Sequence, residues 1–116
     1  MTEELRVAVD RRAGGAVLYT KGYINNLGGE EIANRAYELM DEGVRILLLN
    51  LRETKIVNSI GISILIEIIE KMLEIDGKLG FCCLTPTIEK TFHIMGLAQY
   101  APIYSDEASA VAQIRA

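Results

Sequence analysis

A chain of 116 residues that is 50% hydrophobic can close one core and no more, so a single domain spanning residues 1–116 is expected. Its formal net charge of −4, with 24% charged residues and no basic run, argues against nucleic acid and anionic membranes as partners. The start "MTEELRVAV" lacks the positive and apolar regions of a secretory leader. Ser63 and Glu67 interrupt the best candidate for a membrane span of roughly 18 apolar residues, which leaves a cytoplasmic location as the expectation.

"LRVAV" (5–9) and "AVLYTKG" (16–22) are β-rich runs, and the Gly-containing "DRRAGG" between them suits a hairpin. Gly28 to Glu42 reads as a helix. Ile32, Ala33, Ala36, Leu39 and Met40 recur at helical spacing, Glu31 and Arg35 form an i,i+4 pair, and Gly43 supplies the stop. "RILLLNL" (45–51) is apolar enough for a strand covered on both faces. A second helix follows in "KIVNSIGISILIEIIEKM" (55–72), with Asn58, Ser59 and Gly61 at its mouth. "KLGFCCL" (78–84) is the next strand, introduced by Asp76-Gly77. Thr85 and Pro86 suit the cap and first position of a third helix that Gly96 ends. "YAPIY" (100–104) reads as a short last strand, and Ser105 or Asp106 caps a terminal helix carrying Ala108, Val111, Ala112 and Ile114.

This alternation predicts an α/β sandwich: a mixed, mostly parallel sheet of four to five strands with about four helices and an antiparallel first strand. No internal repeat or linker stands out. Ligands and partners of such a sheet gather at the carboxyl ends of its parallel strands. There the loops Gly22–Asn26, Arg52–Ser59 and Thr85–Thr87 should converge.

Counted from Ile62, the second helix has a core stripe of Ile62, Leu65, Ile66, Ile69, Met72 and Leu73 and a solvated face of Ser63, Glu67, Glu70, Lys71 and Glu74. A further strip of Ile64, Ile68 and Ile75 either packs on a neighbouring helix or forms a docking ridge leading away from Ser59. By residue type alone Ser59 is a helix N-cap, with Asn58 able to cap one residue earlier. Loop chemistry accounts for Asn25 and Asn26, and Arg52, Glu53 and Lys55 read as solvated charges.

Chemistry is sparsely supplied. Cys82 and Cys83 are adjacent in an apolar run and read as reduced core thiols, neither disulfide nor metal site. His93 is the single histidine and falls inside the third helix. Gly-x-x-x-x-Gly-Lys and Gly-x-Gly-x-x-Gly phosphate fingerprints are absent, so neither catalytic residues nor a cofactor is expected.

The stretch "LLLNLRETKIVNSIGISILIEIIEKMLEIDGKLGFCCLTPTIEKTFHIMGLAQYAPIYSDEASAV", with "VLYTKGYINN" upstream, resembles the STAS domain of bacterial anti-sigma factor antagonists and of sulfate-transporter tails. The family's usual strand, Asp-Ser-Ser-Gly or Asp-Ser-Thr-Gly, apolar helix and later Gly-Leu helix end appear here around Asn58-Ser59-Ile60-Gly61 and Met95-Gly96-Leu97. The resemblance implies a protein–protein switch. The unphosphorylated antagonist binds an anti-sigma factor that is also a serine kinase of the histidine-kinase-like ATPase fold, phosphorylation ends binding, and a serine phosphatase restores it.

By position, Ser59 would be the phosphoacceptor, and Asn25, Asn26, Asn58, Ser59, Ile60, Gly61, Ile64 and Ile68 the partner-binding set. Asn58 replaces the usual Asp, Ile60 the second Ser or Thr, and Asn25 an Asp found in many relatives, each lowering local negative charge. The alternative these departures favour is a STAS adaptor, unphosphorylated, in another signalling or transporter-associated complex.

Overall fold

Arg6–Arg12 (β1) and Gly15–Ile24 (β2) pair antiparallel, closing on Arg12 opposite Gly15, in the computed structural model, which describes residues 5–114. Three further strands, Ile46–Val57 (β3), Lys78–Cys82 (β4) and Ile103–Tyr104 (β5), add in parallel to β2 in chain order, giving the sheet order β1-β2-β3-β4-β5. Helices Asn26–Asp41 (α1), Ser59–Glu74 (α2) and Pro86–Ile94 (α3) cover one face, and Glu107–Ile114 (α4) covers part of the other. The expected α/β sandwich with an antiparallel first strand is therefore present.

The apolar residues of β3 sort by alternation, as a strand must. Leu47, Leu49 and Leu51 join Leu18, Leu65, Ile69 and Phe81 in the main core, while Leu48 packs with Val17, Cys82 and Ala110 under α4. Phe92 of α3 meets Phe81 edge to face, ring centroids 5.0 Å apart. Gly43 ends α1: its amide bonds to Met40 O (3.0 Å) and that of Val44 to Leu39 O (3.0 Å), satisfying carbonyls the last turn leaves open.

Two expectations are corrected here. Arg52 to Val57, read as loop, continue β3; two register shifts against β2 place an extra β3 residue at each, and the strand bends through them. The hydroxyls of Thr20 and Thr54, both buried, pair at 2.6 Å beside the first shift, so their polar groups stay satisfied in this irregular stretch. Second, α1 begins at Asn26, two residues before Gly28.

The apolar strip of α2 resolves as helix packing. Ile68 is fully buried, Ile64 and Ile75 are half-buried, and all three pack on the main core. A Cβ on Gly29 of α1 would lie 2.8 Å from Ile64 Cδ1, so the missing side chain is what lets the two helices approach. The ridge reading is thereby corrected for Ile68, which has no surface to offer a partner, while Ile64 keeps part of its surface. Leu73, assigned to the core stripe, is 48% exposed because the stripe drifts off the core in the last turn.

α4 is anchored by charge. Asp106 caps it, accepting from the Ser109 amide at 2.8 Å. Glu107 accepts from Asn50 Nδ2 (3.1 Å) and from Arg12 (3.0 Å), tying the helix to β3 and β1. Burial alone would raise the Glu107 carboxyl, but hydrogen bonds from Tyr19, Asn50 and Arg12 outweigh it and hold the group below its ordinary range.

Two predictions follow from this packing. Ile68→Ala should cost about 2–5 kcal/mol in chemical denaturation, and Leu73→Ala less than about 1 kcal/mol. Because the folded-state pKa of Glu107 is depressed, its stabilisation is present at neutral pH and lost as pH falls through the folded value. Glu107→Gln should accordingly lose less stability than wild type between neutral pH and about pH 3, measured by urea unfolding at each pH.

Candidate functional site at the paired helix starts

β2 and β3 run parallel and each is followed directly by an asparagine, so α1 and α2 start side by side at the carboxyl rim of the sheet. Asn25 Oδ1 accepts from the Gly28 amide and Asn58 Oδ1 from the Gly61 amide, each at 2.8 Å. The tetrapeptides Asn25-Asn26-Leu27-Gly28 and Asn58-Ser59-Ile60-Gly61 thus repeat one device: extended asparagine cap, polar first position, apolar second, glycine third. This short repeat is easily missed, because the helices diverge beyond it.

The two starts are joined by backbone. The Asn58 amide donates to Ile24 O at 3.1 Å, and a Cβ on Gly61 would collide with that same carbonyl. Gly61 is accordingly buried, and its side-chain-free surface is spent on strand contact rather than on a visitor. Ile62 N completes the first helical bond to Asn58 O at 2.9 Å.

Ser59 is therefore not the N-cap that its residue type suggested. Asn58 caps α2, and Ser59 occupies the first helical position, exposed to solvent. Only its carbonyl is engaged, accepting from Ser63 Oγ at 3.1 Å. With the Gly61 amide satisfied by Asn58, the amides of Ser59 and Ile60 are the helix-start donors lacking an intrahelical acceptor. Neither α1 nor α2 has an acidic residue in its first turn, so the positive ends of both dipoles are uncompensated at this rim.

Around Ser59 the surface is apolar. Leu27, Ile56 and Ile60 are 69%, 57% and 55% exposed, all near this rim. Ile60 was anticipated; Leu27 and Ile56 were not. The signal for Leu27 lay in aligning the two tetrapeptides, whereas Ile56 needed knowledge that β3 continues to Val57. Asn26 is exposed, and Tyr23, Asn25 and Asn58 are half-buried. Of the expected Thr85–Thr87 loop only Thr85 lies outside a helix: β4 ends at Cys82, Pro86 and Thr87 open α3, and Thr85 Oγ1 caps that helix by accepting from the Ile88 amide at 3.3 Å.

Groups with catalytic potential lie elsewhere. His93 is exposed on α3, 3.8 Å from Glu89. Cys82 is buried in β4, where desolvation pushes its thiol strongly up, and Cys83 is half-buried beside it. Among the described residues no three His, Cys, Asp or Glu side chains are grouped to hold a metal. No helix among them is long and apolar enough to cross a membrane.

The capping assignment is testable by denaturation. Asn58→Ala should cost about 1 kcal/mol, and Ser59→Ala should stay within about 0.5 kcal/mol of wild type. A larger loss for Ser59→Ala than for Asn58→Ala would reverse the assignment.

With this geometry in place, the chain can be compared with known proteins. The family model described as "STAS domain" matches residues 6–110. The chain is 21% identical over 111 residues to BtrV of Bordetella bronchiseptica, a protein named as an anti-sigma factor antagonist, covering 96% of each chain. A crystal structure of an anti-sigma factor antagonist from Mycobacterium paratuberculosis superposes with a TM-score of 0.86 at 19% identity, covering 100% of both chains. The antagonist SpoIIAA matches in its unphosphorylated form (TM-score 0.79, 16% identity, 95% of this chain and 96% of that one). It also matches in its phosphorylated form, described as a Bacillus cell fate determinant (TM-score 0.74, 16% identity, 95% and 100%).

Proposed function

The chain belongs to the STAS domain family, and on that premise we propose that it is an anti-sigma factor antagonist whose α1–α2 rim docks an anti-sigma factor and is switched off by phosphorylation of Ser59. The observation that carries this reading is the free, exposed hydroxyl of Ser59 at the first position of α2, relieved of capping by Asn58 and bordered by exposed Leu27, Ile56 and Ile60. The BtrV name and the superposition on SpoIIAA support the antagonist class.

Exposed aliphatic side chains next to unsatisfied amides suit a protein interface with an apolar centre and polar edge. A phosphoryl group on Ser59 adds about −1.5 to −2 charges. Within the free protein that charge meets the Ser59 and Ile60 amides and two uncompensated helix dipoles, which favour an anion. The fold therefore tolerates it, and the superposition on both forms of SpoIIAA is in keeping with such tolerance. Within the complex the same dianion must be desolvated against apolar groups, and binding is lost. The partner is then the serine kinase itself, a phosphatase resets the rim, and the chain is a substrate without activity of its own.

Asn58 in place of the family's aspartate keeps the cap while removing a charge beside the acceptor, so the phosphate would dominate the local potential. Ser59→Asp should weaken binding to the cognate anti-sigma factor at least about tenfold by calorimetry, with a melting temperature close to wild type, while Ser59→Ala binds normally. Equal affinities of the two variants would sink the switch. Intact-mass analysis after incubation with the cognate kinase and ATP separates the adaptor alternative: a phosphoryl gain lost in Ser59→Ala supports the switch, and no gain supports an unmodified adaptor.

A further inference from the structure

The face of the sheet opposite α1 and α2 is only partly covered. α4 packs on Val17, Leu48 and Cys82, and beyond it β1, β2 and β3 are bare. There a cleft of about 690 Å³ is lined by Arg6, Ala8, Tyr19, Lys21, Asn50 and Arg52, together with the carboxylates of Glu53 and Glu107. That volume lies within the range of small-molecule sites, roughly 300–1,000 Å³.

The charges of this cleft are arranged against the needs of folding. Antiparallel register sets Arg6 directly opposite Lys21, and alternation turns both to the α4 side with Ala8 and Tyr19. Like charges facing one another across a strand pair repel and destabilise. Arg52 adds a third cation from β3. Among the described residues neither Arg6 nor Arg52 has an acidic partner, and Lys21 has Glu53 at 3.7 Å, both well exposed. A chain with net charge −4 thus gathers three cations, two unpaired, on the wall of a concavity.

The other end of the cleft is different. Asn50, 6% exposed, donates to Glu107 Oε1, and Arg12 reaches both Glu107 Oε2 and the Tyr19 hydroxyl (3.2 Å). This fixed cluster presents carboxylate and phenol oxygens with spare lone pairs to hydroxyl or amino donors. Between the two ends lie Ala8 and Tyr19, neighbours in register, as an apolar floor.

We propose that this cleft is a binding site for a small phosphate ester with a polyhydroxylated body, of the sugar-phosphate class. Arg6, Lys21 and Arg52 take the phosphoryl oxygens, which the Arg forks suit. The carbon skeleton lies on Ala8 and Tyr19, and the distal hydroxyls donate to Glu107. The site is separate from the α1–α2 rim, whose exposed aliphatic residues suit a protein.

The test is an amide NMR titration of the full chain with glucose 6-phosphate, ribose 5-phosphate and glycerol 3-phosphate, with glucose and inorganic phosphate as half-ligands. At least one ester should give saturable shifts centred on Arg6, Ala8, Lys21 and Arg52, with Asn58 to Gly61 unmoved, and should bind more tightly than either half-ligand. Arg6→Gln with Arg52→Gln should weaken it at least about tenfold, and Arg52→Gln alone by an intermediate factor. These side chains are solvent-exposed and removing Arg6 relieves its repulsion with Lys21, so the melting temperature should not fall. The proposal is overturned if no ester saturates at millimolar concentration, if the double variant binds as wild type, or if the shifts centre on the starts of α1 and α2.

Discussion

The hydrogen bond from the Asn58 amide to the Ile24 carbonyl, with Gly61 pressed against the same oxygen, sets the geometry of the rim where α1 and α2 start. It brings the ends of two parallel strands to one level, so the helices that follow must start together. Any side chain at position 61 would push α2 off the strand. What is gained is a rim where two dipoles, two unsatisfied amides and three exposed aliphatic residues share one small surface. Ser59 is incidental to that construction, which is why its hydroxyl has no structural duty.

Separating structure from regulation has a physical logic. A serine that capped its helix would lose the cap on phosphorylation or burial in an interface, coupling signal to stability. Here Asn58 holds the cap and Ser59 only begins the first turn. A charge added at Ser59 would then alter the surface potential while leaving Ile62, Leu65 and Ile69 in the core. The neutral asparagine serves this division as well as an aspartate would, since either side chain accepts the third-position amide.

The two faces of the sheet do different work. On one, α1, α2 and α3 seal a continuous apolar core. On the other, the short α4 covers the lower part and is held by Glu107 through Arg12 and Asn50, leaving a polar concavity above. Buried polar groups at this junction are satisfied by one another, as the low local dielectric demands. A helix that adds such bonds to a small apolar contact through Ala110 depends on them more than α1 or α2 does, whose attachment is shape and area.

Much of this was legible in residue order. Period-2 and period-3.6 patterns gave strands and helices their places, Thr85-Pro86 and Gly43 marked boundaries, and alternation of element type dictated a parallel sheet, because each rests on chemistry within a few residues. The exposed position of Ser59 could also be read, since it follows from where a parallel strand ends. Tertiary structure alone decided between Asn58 and Ser59 as cap, because both residue types fit and only the clamp on Ile24 chooses. It alone carried β3 on to Val57 and exposed Ile56, because the pairing that holds this charged stretch lies on another strand. It alone buried Ile68 against a neighbouring helix and gathered Arg6, Lys21, Arg52 and Glu107 around one cleft, since register and packing join residues that no local spacing relates.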